Sequence, residues 1–198
     1  MTTAFPSAKR AAVRSAVAQA WVERMAGDPE AVSALGVARA HLAAGRNLTG
    51  LRRLRVFELW GGLAERGRLE DLLHRSTQFY NPYKERCTVR LSFGDPAPVA
   101  SADAIALVVE RGGERRSAAE RWWLHETGEK IEVREGVAWV MSFAVGESAA
   151  ERARELTVLE DRRHGLFCNP HSQDHRVSGA AVPLPWIGAP QKGAKHGG

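Results

Sequence analysis

The chain of 198 residues is 44% hydrophobic and 26% charged, the balance of an ordinary globular protein. This composition excludes a collagen-like repeat, a disulfide-stapled miniature protein and a chain that is disordered throughout. No apolar run reaches the roughly 18 residues that a membrane-spanning helix needs, and residues 1–10 lack the apolar stretch of a signal peptide. We therefore expect a soluble, cytoplasmic protein with no membrane partner, and the low cysteine count, Cys87 and Cys168, fits a reducing compartment.

The net charge of +5 comes entirely from the first part of the chain. Residues 1–75 hold 12 Lys and Arg against 7 Asp and Glu, whereas residues 76–198 hold 16 of each kind. A basic surface attracts nucleic acid, acidic proteins and other anions. The charge distribution therefore indicates an anion-binding N-terminal region, with an ordinary solvated surface as the alternative.

The N-terminal region has the apolar spacing of helices. Four apolar residues recur at every fourth position: Val13, Val17, Trp21 and Met25. This spacing predicts an amphipathic helix over residues 8–25. Asp28 and Pro29 have the residue types of a helix cap and a first-turn proline, so a second helix is expected from there to Gly45.

A third helix is predicted over residues 48–60, because leucines and aromatic residues recur there at intervals of three. It carries three arginines that we expect to bind the acidic partner: Arg52, Arg53 and Arg55. Gly61-Gly62 interrupts the pattern, which resumes over residues 63–75.

After Pro82 the apolar period changes from near 3.6 to 2, which predicts strands. Five strands are expected, at residues 88–93, 105–111, 121–125, 130–134 and 137–144. Their short links, including a turn at Glu135-Gly136, are typical of antiparallel hairpins. A short helix over residues 148–156 is expected to follow.

This order of elements predicts an α+β fold in which about three N-terminal helices pack on a five-stranded antiparallel sheet, followed by a short C-terminal helix. We expect a single domain over residues 1–177, with a helical part at 7–75 and a sheet part at 76–177. Residues 178–198 are expected to form an extended tail rich in Gly, Pro and Ala, disordered beyond about Ala189.

Two segments of the chain echo each other. The segment that begins Phe79-Tyr80-Asn81-Pro82 aligns with the one that begins Phe167-Cys168-Asn169-Pro170, and four of eleven positions match. One interpretation is a pair of similar turns at two strand ends, because Asn and Pro both favour turns. The other is that the segments meet around a polar pocket. The predicted binding residues of that pocket are Tyr80, Asn81, Tyr83, Asn169, His171 and Gln173.

A possible zinc site overlaps the second segment. Cys168, His171 and His175, preceded by His164, have the side chains that zinc prefers, at spacings of three and four residues. Pro170 interrupts any continuous helix through them, which weakens this prediction. The alternative is that Cys168 is a buried apolar residue and the histidines are surface groups.

The sequence leaves the function open, because it contains none of the common nucleotide-binding, hydrolase or zinc-ribbon motifs. The first hypothesis is a non-catalytic accessory or adaptor protein that binds nucleic acid or an acidic protein through its basic N-terminal region. The second is a small enzyme, or a ligand- or metal-binding protein, with a polar pocket at the two Asn-Pro segments. A third is a subunit of a larger assembly.

Overall fold

The computed structural model describes residues 16–101, 103–111, 114–144 and 148–188. Over these residues both helices and strands occur before and after position 80, so the predicted change from helices to strands near that position is wrong. The strands are β1 (Ala16–Arg24), β2 (Leu48–Gly61), β3 (Glu85–Arg90), β4 (Ala104–Glu110), β5 (Glu114–Arg115), β6 (Ile131–Phe143) and β7 (Gln173–Ser178). The helices are α1 (Pro29–His41), α2 (Arg66–His74), α3 (Ser117–Thr127) and α4 (Ala149–Thr157), with a short 3-10 turn at Ala43–Gly45.

Six strands form one antiparallel sheet in the order β3-β1-β2-β6-β4-β7, and the two-residue β5 also pairs with β6. The long strands β2 and β6 lie at the centre, where Leu54 pairs with Ala138. The prediction of an α+β protein with helices packed on an antiparallel sheet is therefore confirmed, although the number and position of the elements differ. None of the described helices has the length and apolarity to cross a membrane.

Apart from the two-residue strand β5, the described chain consists of two halves with the same order of elements, β-α-β-α-β, at residues 16–90 and 104–178. The first half contributes β3-β1-β2 to the sheet, and the second half contributes the matching order from the opposite edge, β7-β4-β6. An approximate twofold rotation about an axis between β2 and β6 therefore relates the halves. The echoed Asn-Pro segments precede the last strand of each half, so the sequence echo marks this internal repeat.

All four helices of the described residues pack on the same face of the sheet, which we call the helical face. Helices α2 and α3 cover one end of it, where Leu69 and Trp123 pack with Phe57 and Phe79. Helices α1 and α4 cover the other end, where Ala38 and Leu156 belong to a second apolar cluster. The two helix pairs exchange places under the approximate twofold rotation.

The opposite face of the sheet is covered by irregular chain instead of helices. Val182, Trp186 and Ile187 pack there against the apolar side chains of the central strands, and Trp186 stacks on Trp21 with ring centroids 6.1 Å apart. Of the predicted extended tail, Ser178 is the last residue of β7, and residues 179–188 thus follow the sheet. Residues 189–198, where disorder was predicted, lie outside the described residues.

A buried polar network holds this covering segment to the sheet. Glu58, fully buried on β2, accepts hydrogen bonds from the side-chain amide of Gln19 (2.8 Å), from the backbone N–H of Trp186 and from that of Gly188 (2.9 Å). Gln19 Oε1 in turn accepts from Arg90 Nη1 at 2.7 Å. The burial of these charges is therefore compensated by hydrogen bonds.

The predicted helix over residues 8–25 is wrong where the structure describes it, because residues 16–24 form β1. Ala18 and Ala20 face the helices while Trp21 faces the other side, and all three are buried. A strand that is covered on both faces lacks a polar–apolar alternation, and its alanines favour a helix locally. Residues 8–15 lie outside the described residues.

The predicted helix over residues 48–60 is also wrong, because this segment forms the central strand β2. Leu54 and Val56 are buried on the opposite face, and Phe57 and Leu59 on the helical face. The apolar residues at intervals of three therefore belong to two different surfaces, and packing on both overrides the apparent helical period.

The second half contains the reverse error. Residues 121–125, predicted as a strand, belong to helix α3, which ends at Gly128 with a left-handed backbone (φ 74°). This conformation is typical of glycine after a helix, and its N–H bonds the carbonyl oxygen of Leu124. Trp123 is buried from this helix, so the adjacent tryptophans do not mark a strand.

The predicted hairpin turn at Glu135-Gly136 does not form, because both residues lie inside the continuous strand β6. Gly136 is needed there for close packing: a Cβ atom at this position would lie 2.7 Å from Val109 Cγ1 and 3.0 Å from Leu107 Cδ1. The glycine therefore marks a close approach between strands, not a turn.

The remaining predicted elements lie where expected. Asp28 caps α1 by accepting from the N–H groups of Glu30 and Ala31, with Pro29 in the first turn. Helices α2 and α4 match the predicted helices at 63–75 and 148–156. Strands β3 and β4 overlap those predicted at 88–93 and 105–111.

Candidate ligand-binding groove

The two helix pairs leave a groove between them on the helical face. It consists of two adjoining cavities of about 390 and 410 Å³ that share Glu30, Arg53 and Arg55. We call it the interhelical groove. Its described lining includes Arg24, Asp28, Asn81, Lys84, Glu85, Val108, Glu110, Arg116, Glu135, Val137, Trp139, Phe167 and Gln173.

Strand β2 places two arginines side by side on the groove floor. Alternate residues of a strand point to one face, so Arg53 and Arg55 share the helical face while Leu54 lies on the other. Their side chains are 26% and 28% exposed, which leaves part of each guanidinium group open to the groove. Two adjacent guanidinium groups form a surface suited to carboxylate or phosphate oxygens.

Arg55 is held by groups from three other parts of the chain. Its Nη2 donates to the carbonyl oxygen of Phe79 at 2.9 Å and to Glu85 Oε1 at 3.1 Å, and its Nη1 lies 3.8 Å from Glu135 Oε1. Glu135 also pairs with Arg116, whose Nε lies 3.1 Å from its Oε2. These contacts fix the orientation of Arg55 in the groove.

Arg53 is held less completely. Its guanidinium carbon lies 5.8 Å from the ring centroid of Trp139, and its Nη1 lies 3.7 Å from Asp28 Oδ2. Its Nε lies 3.1 Å from Glu30 Oε2 but has no hydrogen-bond acceptor in suitable geometry, although this nitrogen is buried. The side chain of Glu30 is 61% exposed, whereas that of Asp28, the other acidic partner of Arg53, is 13% exposed. The carboxylate closest to Arg53 Nε is therefore also the more exposed of the two.

An aromatic pair forms one wall of the groove. Trp139 and Phe167 are stacked with ring centroids 4.7 Å apart and an interplanar angle of 23°. Only 6% of Trp139 is exposed, because Phe167 and Arg53 contact its ring. The wall therefore positions Arg53 and offers little ring surface for a ligand to stack on.

The two Asn-Pro segments form matching turns. Asn81 Oδ1 accepts from the N–H of Tyr83 and Asn169 Oδ1 from that of His171, both at 3.0 Å. The backbone N–H of Asn81 donates to Glu85 Oε2 at 2.7 Å. The backbone N–H of Asn169 donates to Gln173 Oε1 at 2.9 Å. The matched hydrogen bonds show that Glu85 and Gln173 occupy corresponding positions in the two halves.

The structure does not bring these two turns together, because they precede β3 and β7 at opposite edges of the sheet. They lie near the two ends of the groove, where Asn81 and Gln173 line it. Tyr80 is buried and its hydroxyl lies 3.1 Å from His74 Nδ1, whereas Tyr83 is 89% exposed and His171 is also exposed. The predicted pocket residues therefore divide among separate places.

Arg52 lies on the opposite face of β2 from Arg53 and Arg55. It pairs with Glu23 at 3.0 Å and donates to the carbonyl oxygen of Pro98 at 2.8 Å. The three arginines proposed as one basic helical surface are thus divided between the two faces of a strand.

The predicted zinc ligands do not form a cluster. Among the described residues, no group of three or more His, Cys, Asp and Glu side chains is placed to hold a metal ion. Cys168 is buried with its Sγ 3.8 Å from the carbonyl oxygen of Gln173, while His171 and His175 are exposed. His164 contacts Asp161 instead.

A separate cavity of about 320 Å³ contains the other cysteine, Cys87, together with Glu70, His74 and Tyr80. Burial, reinforced by the negative charge of Glu70, raises the pKa of Cys87 to about 12. This thiol therefore stays protonated at neutral pH and is a poor nucleophile and metal ligand there. Both cysteines are free thiols.

The sequence predictions did not include Glu30, Glu135 and Trp139 as groove residues. Glu135 was assigned to a turn that does not exist, and Glu30 reaches Arg53 only because α1 packs across β2. A usable signal was present in β2 itself, where Arg53 and Arg55 flank Leu54 with a period of two.

Comparisons with known proteins found no matching family model, no matching curated protein and no matching solved structure.

Proposed function

We propose that the protein is a binding protein that holds a small anionic ligand in the interhelical groove, against Arg53 and Arg55. The observation that carries this proposal is the adjacency of two partly exposed guanidinium groups on the groove floor, one of which has a buried Nε without a hydrogen-bond acceptor. An anionic oxygen near Arg53 would accept that hydrogen bond and gain a charge-assisted contact.

Glu30 is the group that such a ligand would displace. Its carboxylate is already within ion-pair distance of Arg53 Nε, yet it is largely exposed and makes no hydrogen bond there. An exposed ion pair contributes at most about 1 kcal/mol, so an anion with better geometry can replace it. Glu30 therefore acts as an internal competitor, and neutralising it should strengthen binding.

The charge balance of the groove favours a small ligand over a polyanion. Among the described lining residues, five are basic (Arg24, Arg53, Arg55, Lys84 and Arg116) and five are acidic (Asp28, Glu30, Glu85, Glu110 and Glu135). A nucleic acid would bring its phosphates close to the carboxylates as well as to the arginines. We therefore favour a carboxylate- or phosphate-bearing small molecule and treat nucleic acid as an outcome of the test.

Calorimetric titration with citrate and with inorganic phosphate tests the proposal and distinguishes the two anion chemistries. We expect saturable binding of at least one anion, weakened tenfold or more by Arg53→Ala and by Arg55→Ala. Glu30→Gln should strengthen it at least twofold. Arg52→Ala is the matched control, because it removes an arginine from the opposite face of the same strand and should change the affinity less than twofold.

Equal weakening by Arg52→Ala and Arg53→Ala, or no saturable binding of either anion, would overturn the proposal. A short DNA duplex and a single-stranded RNA, titrated at about 50 and 200 mM salt, give the nucleic-acid arm. Tight binding with a steep salt dependence and a requirement for Arg53 would replace the small anion with nucleic acid.

A further inference from the structure

The two ends of the interhelical groove carry opposite charges that are not neutralised within the described chain. At the β3 end, Arg24 and Lys84 line the groove, and neither side chain forms an ion pair or a hydrogen bond with any described residue. Arg24 and Glu85 lie opposite each other on the neighbouring strands β1 and β3, but the Glu85 carboxylate forms its ion pair with Arg55. This end therefore presents two cations.

The β7 end presents a carboxylate. Glu110 Oε1 accepts one hydrogen bond, from the side-chain amide of Gln173 at 2.8 Å, and Glu110 forms no ion pair with a residue in the described ranges. Gln173 is itself held in place, because its Oε1 accepts from the N–H of Asn169. The amide orients Glu110 towards the groove without neutralising its charge.

The internal repeat shows how this polarity arises. Glu85 and Gln173 begin β3 and β7 after matching Asn-Pro turns, and each accepts a hydrogen bond from the backbone N–H of the turn asparagine. In the first half the residue is a carboxylate and pairs with Arg55. In the second half it is an amide and supports Glu110. This difference is one of several between equivalent positions, since Lys84 corresponds to Ser172. Glu110, which lies opposite Gln173, corresponds to Arg24, which lies opposite Glu85.

The separation of the two ends sets the length of a ligand that contacts both. In the pairing of β1 with β2, Glu23 lies opposite Leu54, so Arg24 lies beside Arg53. Arg53 lies opposite Trp139 on β6, and Trp139 lies opposite Ala106 on β4. Arg24 and Glu110 are thus three strands apart and four residues apart along the strand direction. With strand spacings of about 4.8 Å and a rise of about 3.4 Å per residue, their Cα atoms are about 20 Å apart.

We infer that the ligand of the groove is a short, extended peptide of about six residues with free termini. Its carboxylate lies at Arg24 and Lys84, its amino group lies at Glu110, and an acidic side chain in its middle lies at Arg53 and Arg55. An extended chain of six residues spans about 20 Å. This inference rests on the proposed anion-binding groove and adds the polarity, the length and the chemical class of the ligand.

Four forms of a hexapeptide of alanine and glycine with one central glutamate test the inference: free at both ends, N-acetylated, C-amidated and blocked at both ends. We expect the free peptide to bind with saturation and each block to weaken binding at least fivefold. Glu110→Gln should remove the effect of N-acetylation while the effect of C-amidation remains. The double variant Arg24→Ala/Lys84→Ala should do the reverse.

Two variants serve as controls, each of which removes one charge of the same sign as the variant it is compared with. Asp174→Asn removes a carboxylate next to Gln173, and Arg86→Ala removes an exposed arginine next to Glu85; neither residue lines the groove. Both should leave the four affinities unchanged within twofold. Circular dichroism of every variant establishes that the fold is intact.

Equal affinity for the free and the doubly blocked peptide overturns the inference, as does a Glu110→Gln variant whose binding is still weakened by N-acetylation but no longer by C-amidation. If citrate still binds in an Arg53-dependent manner, the anion-binding proposal stands and only the peptide fails. If neither citrate nor any of the peptides binds, both fail together.

Discussion

Charged side chains on the two faces of the sheet differ in their burial and in their hydrogen bonding. On the opposite face Glu58 is fully buried, and both of its carboxylate oxygens accept hydrogen bonds from Gln19 and from the covering segment. On the helical face Arg53 and Arg55 keep about a quarter of their side-chain surface exposed and face a groove. A charged residue in a strand therefore stabilises the fold where its side chain is buried and its polar atoms have hydrogen-bond partners. It is available to a ligand where part of the side chain is exposed and a donor group lacks a well-placed acceptor.

Removal of Glu58 should give the largest change in stability. Glu58→Ala removes one of the two carboxylates near the buried guanidinium of Arg90, the other being Asp95, and it removes the acceptor of Gln19 and of the covering segment. Loss of one partner from a buried charged network costs about 3–5 kcal/mol. Urea unfolding measures this cost, with Arg52→Ala, expected to cost no more than about 1 kcal/mol, as the surface control. A loss below about 1 kcal/mol for Glu58→Ala would remove the contrast between the faces.

Gly136→Ala should have the next largest effect, since the added methyl group would contact Val109 and Leu107 at 2.7 and 3.0 Å. Overpacking of this kind costs about 1–3 kcal/mol. Thermal unfolding compares this variant with Gly67→Ala, where nothing lies within 4 Å of the added carbon. An unchanged stability for Gly136→Ala would mean that the close packing between β4 and β6 can relax.

Arg55→Ala should have a smaller effect on stability than either of these changes, about 1 kcal/mol, because its ion pairs with Glu85 and Glu135 are partly exposed. The carboxylates that remain can be hydrated from the groove. Urea unfolding of Arg55→Ala and Glu58→Ala under the same conditions makes the comparison direct. If the two variants lose equal stability, Arg55 belongs with the structural charges and not with the binding groups.

Effects of a size similar to that of Arg55→Ala are expected at the two turns. Asn81→Ala and Asn169→Ala each remove one side-chain acceptor from corresponding backbone N–H groups. Each change should cost about 0.5–1.5 kcal/mol, the usual contribution of one hydrogen bond, and the two costs should be similar. A cost at only one turn, measured by urea unfolding, would contradict the equivalence of the two halves.

The elements predicted correctly from the sequence are those whose signals are local. The Asp28-Pro29 start of α1 and the two Asn-Pro turns depend on side-chain contacts with the nearest backbone groups, so short stretches suffice to predict them. Strands β1 and β2 could not be recognised in this way. Both are buried on two faces, and their apolar residues therefore follow no single period.

The groove could be predicted even less well than the strands. Arg53 and Arg55 were named as binding residues, but on a helix together with Arg52, which the structure places on the other face. The acidic partners of these arginines come from α1, β3 and β6, and no local spacing relates those elements. The chemistry of a site between elements follows from topology, which the sequence pattern did not supply.

The central claim is that an anion replaces Glu30 as the partner of Arg53 Nε, and NMR observation of arginine Nε–Hε groups tests it most directly. During titration with citrate, the signal of Arg53 should shift with saturation and that of Arg55 should follow. The side-chain amide signals of Gln19, buried on the opposite face, should stay unchanged. An Arg53 signal that does not move while citrate binds, or equal shifts at Gln19, would contradict the account.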